Sequence, residues 1–186
     1  AFASQSLAGG LLLHFFVGVF EETLFRGILF RFLEEGLGSW TALTITALFF
    51  GLSHLSNPGA TIWSAMAIAL EAGVTIGAVY MATRSLWVAM GFHTAWNFLQ
   101  GAIFGVAVSG NAAPTASVFK PIIQGNQWLT GGAFGIEASV IALVLGLGLG
   151  IYFMVQAVQQ KRIMRGLLWR GGINVLSSIN QSTGGL

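Results

Sequence analysis

A charged cluster interrupts the apolar segment VFEETLFRGILFRFLEEG at residues 19–36. A charge at the centre of a bilayer helix costs about 2.5–3.5 kcal/mol on insertion scales, so three such residues require a purpose. Glu22 and Arg26 are four residues apart and can pair on one helix face. Glu21 lies about 100° around the helix without a local partner, and a desolvated carboxylate of this kind suits proton abstraction from water. The alternative is a structural salt-bridge knot between helices.

Two histidines and an asparagine form the second polar group. His54 ends the stretch FFGLSH, whereas His93 and Asn97 lie one turn apart in GFHTAWN. A lone intramembrane histidine is usually a packing or hydrogen-bonding residue. Together with the glutamates, however, these residues match the needs of a hydrolytic site. Glu and His can hold and deprotonate a water, and a second His and an Asn can donate to the oxyanion of a tetrahedral intermediate.

The elements that must position these residues are predicted to be membrane helices. The chain is 55% hydrophobic and only 8% charged, whereas a soluble domain has roughly 25% charged residues. It has no cysteine, which excludes disulfides, thiolate metal sites and a cysteine nucleophile. Its eight cations are too few for a nucleic-acid interface. We predict an all-α polytopic bundle, because the apolar runs are too long for the strands of a membrane barrel.

Five apolar runs are long enough, or nearly so, to cross about 30 Å of hydrocarbon. They cover residues 7–32, 40–55, 61–83, 86–108 and 134–158. Small residues four apart, such as Gly146 and Gly150, predict close helix packing. Residues 1–160 are therefore predicted to form one transmembrane domain. Residues 161–186 are predicted to be a basic juxtamembrane segment and a flexible tail.

The distribution of cations predicts the orientation of the chain. Arg31 follows the first run, Arg84 the third, and the cluster at residues 161–170 the fifth, whereas Lys120 falls on the other side. The positive-inside rule makes the crowded side cytoplasmic and places the C-terminus there. Its basic segment would be attracted to anionic lipid. We expect an integral protein of a prokaryotic inner membrane, with a site that opens toward the cytoplasm.

Helical rise gives an estimate of the depth of each candidate residue. Glu21 lies about 15 Å above Arg31 at 1.5 Å per residue, and His93 lies at a similar height above Arg84. His54 comes out at roughly 21 Å by the same count. The second run is therefore expected either to begin below the bilayer surface or to be tilted.

The polar residues, taken in order, resemble the CPBP family of intramembrane proteases. That family is named for CAAX proteases and bacteriocin-processing enzymes, is also called the Abi-domain family, and includes the Rce1-type CAAX prenyl endopeptidases. Its pattern is EExxxR, then FxxxH on the next helix, then HxxxN. The corresponding residues here are Glu21, Glu22 and Arg26, then Phe50 and His54, then His93 and Asn97. The resemblance covers about half of the chain, and family members usually have more spans, so N-terminal helices are expected to be absent from this chain.

The resemblance implies a role for each residue. Glu21 would be the general base, and His54 would hold the same water. His93 and Asn97 would stabilise the oxyanion. The reaction would be hydrolysis of a peptide bond in a membrane-associated substrate, whether or not that substrate is prenylated.

The resemblance also implies that Glu22 and Arg26 brace Glu21. The pattern lacks the HExxH spacing that places two histidines on zinc, so we favour a glutamate mechanism without a cofactor. Zinc held by Glu21, His54 and His93 is the alternative, since these are ligands of the right type.

Two functions of other classes stay open at this point. One is a non-catalytic scaffold or assembly subunit of a membrane complex that keeps the protease fold. The other is a transporter or proton relay, which would need a polar stripe reaching both membrane surfaces. Glu71 and Glu137 are each alone in an apolar stretch and are interpreted as packing or interfacial residues. His14 lies seven residues before Glu21, on about the same face. We expect it near the outer end of the cavity, and the family motif gives it no role.

Overall fold

The part of the chain described by this computed structural model, residues 2–112 and 117–168, is helical and contains no β-strand. The predicted all-α bundle is confirmed. The predicted flexible tail lies outside the described residues from position 169 onward. The α-helices are α1 (Phe2–Glu22), α2 (Arg31–Leu37), α3 (Ser39–Ser53), α4 (Ile62–Ile68), α5 (Thr75–Thr83), α6 (Leu86–Phe98), α7 (Gln127–Thr130) and α8 (Val140–Gln159).

Three π-helical stretches extend these helices into longer runs. Thr23–Phe30 joins α1 to α2, Ala69–Val74 joins α4 to α5, and Leu99–Ile103 continues α6. A π-helical turn contains an additional residue, so it shifts the faces that side chains occupy on either side of it, and such stretches are frequent at functional sites. The first stretch carries Arg26, and the second supplies carbonyl groups that Arg26 contacts.

Within residues 2–112 and 117–168, three runs are long and apolar enough to cross a membrane. They are Leu7–Leu37, Ile62–Thr83 and Val140–Gln159. The three runs differ in how much of their most apolar window is buried. In the middle run 67% of this window is buried, whereas 11% is buried in the first run and 17% in the third. The middle run is therefore the centre of the bundle, and the outer two present apolar faces suited to lipid. The helices predicted as the second and fourth spans form α3 and α6 but are not among these three.

Small residues let the middle run pack closely against α8. Gly146 lies against the backbone of Glu71, where an added Cβ would be 2.9 Å from the carbonyl oxygen. One turn later, Gly150 lies against Thr75. The hydroxyl of Thr75 donates to the carbonyl oxygen of Gly146 at 2.7 Å, which holds the two helices together. The close packing predicted from this glycine pair is confirmed.

Two of the predicted runs extend beyond the ends of their helices. The fourth run was predicted to reach Val108, but its helix ends at Ile103, and Gly105 then takes a left-handed backbone with φ +67°. The fifth run was predicted to begin at residue 134, but α8 begins at Val140. The reason is local: the Ser139 side chain accepts a hydrogen bond from the backbone of the first turn and so starts the helix there. Apolar composition alone does not reveal either boundary.

The bundle has two chemically different ends. At one, the positive end, Arg84 pairs with the buried Glu34 (Nη1–Oε2 2.5 Å) and donates to the carbonyl of Arg162. Since successive runs alternate in direction, the connections at residues 54–61 and 104–139 lie at the other end, the loop end. The predicted gathering of cations at a single end is therefore seen in the described residues.

Candidate active site

A cavity of about 400 Å³ lies inside the bundle and brings four predicted site residues together. Glu21 from α1, His54 from the turn after α3, and His93 and Asn97 from α6 all line it. Three separate helical elements thus converge, as the sequence predicted. A second cleft, of about 350 Å³ near Trp63, is lined by no ionisable residue.

Glu21 and Glu22 each have one buried carboxylate oxygen, Oε2, without a hydrogen-bond partner among the described residues. In Glu21 part of the side chain, 22%, is also exposed. The nearest basic group is Nε2 of His93, 4.0 Å from Oε2. Oε2 of Glu21 is therefore enclosed by protein without a donor, whereas the exposed part of the side chain lines the cavity.

The adjacent Glu22 is completely buried, and one of its carboxylate oxygens accepts two hydrogen bonds. Its Oε1 accepts hydrogen bonds from Nη1 of Arg26 and from Nδ1 of His93, each at 2.8 Å. The ion pair expected between Glu22 and Arg26 is present. The bond to His93 was not predicted, because it joins residues 71 positions apart on different helices. Glu22 therefore orients a cavity histidine directly.

Arg26 ties this pair to the centre of the bundle. Its Nη2 donates to the carbonyl of Gly73 at 2.9 Å, within the second π-helical stretch. Its guanidinium carbon lies 4.8 Å from the ring centre of Phe50, a cation–π distance. A buried guanidinium needs partners of this kind to compensate for lost hydration.

Phe50 packs the two histidines in place. Its ring centre lies 4.8 Å from that of His54 and 6.0 Å from that of His93. Phe25 also packs edge-on against Phe50, with ring centres 5.0 Å apart. The aromatic residue of the FxxxH motif thus contacts both imidazoles and helps to orient them.

The hydrogen bonds of the histidines define which nitrogens face the cavity. Nδ1 of His54 lies 2.7 Å from the carbonyl oxygen of Phe50. A carbonyl oxygen can only accept, so this network assigns the proton to Nδ1 and leaves Nε2 of a neutral ring as an acceptor. Nδ1 of His93 donates to Glu22 in the same way, which leaves its Nε2 toward Glu21.

Several residues that line the cavity were not predicted to do so. Asn57, Ser109 and Asn111 come from the connections at the loop end. His14 of α1, which was expected near the outer end of the cavity, also lines it. Loop residues carry no helical spacing, so no sequence signal marks them. The cavity thus extends toward the loop end, which is opposite the positive end. The sequence predicted that the site opens toward the cytoplasm and also that the positive end is cytoplasmic. Because the cavity faces away from the positive end, these two predictions are incompatible.

A zinc ion would need three or more His, Cys, Asp or Glu side chains close together. Within residues 2–112 and 117–168, no three His, Cys, Asp or Glu side chains are grouped closely enough to hold a metal ion. Glu21, His54 and His93 share the cavity, but they do not form such a group.

Comparison with known proteins adds one finding to this geometry. A family model described as type II CAAX prenyl endopeptidase Rce1-like matches residues 3–99, just over half of the chain. The match contains all three motifs and ends two residues after Asn97. No curated protein and no solved structure matches the chain.

Proposed function

The chain belongs to the type II CAAX prenyl endopeptidase Rce1-like family, and from this premise we propose that Glu21 activates a water molecule for peptide-bond hydrolysis. At the level of the family, the protein is a CAAX-type intramembrane protease. The observation that carries the finer proposal is the shared cavity, in which Glu21, His54, His93 and Asn97 meet.

The first step is attack by water on the scissile carbonyl carbon. The water would lie between Glu21 and His54, with Nε2 of His54 accepting one of its hydrogens. Glu21 takes the other proton as the water oxygen bonds to carbon. Negative charge then develops on the former carbonyl oxygen.

The second step is stabilisation and collapse of this intermediate. Asn97 donates an amide hydrogen to the oxyanion. In its doubly protonated form His93 donates through both nitrogens, Nδ1 to Glu22 and Nε2 to the oxyanion. The C–N bond then breaks, and Glu21 returns its proton to the leaving amine. No cofactor takes part in the proposed reaction.

Glu22 and Arg26 would act through other residues and not on the substrate. The carboxylate of Glu22 sets the orientation of His93, and Arg26 holds that carboxylate in place. Glu22 and Arg26 would therefore position His93 as well as Glu21.

The proposed substrate is a peptide segment at the membrane, whether or not it is prenylated. The apolar faces of the outer two runs are consistent with an integral membrane protein surrounded by lipid. A substrate anchored in that lipid would reach the cavity while its anchor stays in the bilayer.

Cleavage in a defined membrane tests the proposal. The chain in lipid nanodiscs is incubated with fluorogenic peptides that carry a membrane anchor, with and without a prenyl group. We expect Glu21→Gln to reduce kcat by on the order of 10²–10⁴, the usual contribution of a general base. Glu35→Gln, an exposed glutamate in α2, is the matched control and should leave cleavage unchanged.

Two results would overturn this mechanism. One is cleavage by Glu21→Gln at the wild-type rate. The other is loss of wild-type cleavage with a chelator and recovery with zinc, which would make Glu21, His54 and His93 metal ligands.

A further inference from the structure

Glu137 lies outside the motifs and accepts four hydrogen bonds. Its side chain is buried in the turn before α8. Its Oε1 accepts from Nε1 of Trp96 at 3.2 Å and from Nε2 of Gln100 at 3.1 Å. Its Oε2 accepts from the backbone N–H of Ser109 at 2.6 Å and from the Ser109 hydroxyl at 3.0 Å. Residue 137 lies beyond the matched residues 3–99, so the family match assigns it nothing.

One arm of this network reaches the cavity wall. Ser109 has a left-handed backbone with φ +48°, a conformation that is uncommon for a residue with a side chain. Its two hydrogen bonds to Glu137 hold it there. Its carbonyl oxygen accepts a hydrogen bond from Nδ2 of Asn57 at 2.7 Å. Asn57 follows the short turn that begins with His54, and both Asn57 and Ser109 line the cavity.

The other arm reaches the helix with the proposed oxyanion residues. Trp96 precedes Asn97 in α6 and lies three residues after His93. Gln100 lies one turn further along the same helical run. A continuous set of hydrogen bonds therefore links α6, through Glu137, Ser109 and Asn57, to the turn that carries His54.

We propose that Glu137 is a positioning residue that sets the spacing between the two sides of the hydrolytic cavity. The inference rests on the proposed function for its catalytic consequence and on the hydrogen bonds above for its structural one. Hydrogen bonds to a carboxylate are among the strongest in proteins, and here they cross the wall of the cavity. Misplacement of reacting groups by about 1 Å can cost on the order of 10²-fold in rate.

The test replaces the acceptor and keeps the shape of the side chain. Glu137→Gln puts an NH₂ donor in place of one carboxylate oxygen, so either Ser109 or the pair on α6 loses its acceptor. Glu71→Gln is the matched control, since Glu71 is equally buried but makes no hydrogen bond to the cavity wall. Both variants are compared with the full wild-type chain in nanodiscs.

Two readouts are measured on each protein. Hydrogen exchange of residues 105–112 reports the locking of the cavity wall and needs no substrate. We expect faster exchange in this segment for Glu137→Gln, and exchange at the wild-type rate for Glu71→Gln. For peptide cleavage we expect kcat to fall by about 10²-fold with KM nearly unchanged, because the substrate still binds while the reacting groups are misplaced.

A second variant separates positioning from a general loss of stability. Asn57→Ala removes the last link of the network. In the Glu137→Gln background it should add little to the loss of kcat, because both changes break one chain of contacts. Independent losses that multiply would overturn the proposal.

The remaining outcomes are also decisive. Unchanged exchange at residues 105–112 in Glu137→Gln, or a kcat equal to that of Glu71→Gln, would overturn the positioning role. If the wild type cleaves nothing, the proposed function fails, and the exchange readout still decides whether Glu137 locks the wall.

Discussion

Arg26 offers the sharpest test of how the site is held, because its whole side chain is enclosed. Its side chain is 1% exposed and that of its partner Glu22 is 0% exposed. Replacement by methionine keeps much of the volume and removes the charge. Glu22 would then be a buried carboxylate without its cation, with His93 as its remaining hydrogen-bond partner.

The size of the effect follows from these contacts. Two unit charges about 4 Å apart attract by about 4 kcal/mol at an effective dielectric constant of 20. Removal of one partner from a buried pair typically costs about 3–5 kcal/mol, since the other charge stays buried. For a chain of this length each 1 kcal/mol lowers Tm by roughly 2–4 °C, so we expect Arg26→Met to lower Tm by on the order of 10 °C.

The assay is thermal unfolding in one detergent, followed by circular dichroism. Arg31→Met is the matched control, because Arg31 is exposed and lies five residues further along the same run. It should change the free energy of unfolding by no more than about 0.5 kcal/mol.

A double variant tests the reasoning behind the magnitude. Glu22→Gln with Arg26→Met leaves no unpaired charge, and the oxygen of the new side-chain amide can still accept from His93. The double variant should therefore be more stable than Arg26→Met alone. An Arg26→Met protein as stable as Arg31→Met, or a double variant whose loss is the sum of the single losses, would refute the reasoning.

Two further predictions concern membrane sidedness and helix packing. Because the chain has no cysteine, an impermeant maleimide should label Asn111→Cys and Glu35→Cys from opposite sides of a sealed vesicle; labelling of both from one side would contradict the two-ended arrangement. Gly146→Val should destabilise the fold by about 1–3 kcal/mol, because the new side chain meets the backbone of Glu71. Gly148→Val is the control, with no atom within 4 Å of the added Cβ, and an equal Tm for the two variants would show that α8 does not pack through Gly146.

The three family motifs could be found without a structure because the members of each lie close together in the sequence. Glu22 and Arg26 are four residues apart, so helical geometry alone brings them together. His93 and Asn97 share one helix face for the same reason. The roles proposed for these residues remain predictions, whereas the position of His93 and Asn97 in the cavity wall is observed.

The depth of a residue in the membrane depends on helix tilt as well as on its position in the sequence. Counting residues placed His54 about 6 Å from the level of Glu21, at 1.5 Å per residue. In the folded chain both residues nevertheless line the same cavity. The count assumed helices parallel to the membrane normal, whereas the packing of each helix against its neighbours decides its tilt.

The composition of the surrounding sequence does not distinguish the environments of Glu71 and Glu137. Glu71 and Glu137 look alike in sequence, since each is a single acid in an apolar stretch. Their partners differ completely: Glu137 accepts four hydrogen bonds across the cavity wall, whereas Oε2 of Glu71 is buried without one. Those donors come from a loop and a helix that are remote along the chain.

The amino-acid sequence by itself determined the helical class, the membrane setting, the family and four of the residues that line the cavity, Glu21, His54, His93 and Asn97. The first two follow from the length of the apolar runs, and the family and the four residues follow from motifs whose members lie one helical turn apart. The tertiary structure alone decided that Glu22 holds His93, that Glu137 links α6 to the His54 turn, and that the cavity faces away from the positive end. Each of these depends on contacts between segments far apart in the chain, and their geometry is set by the packing of whole helices.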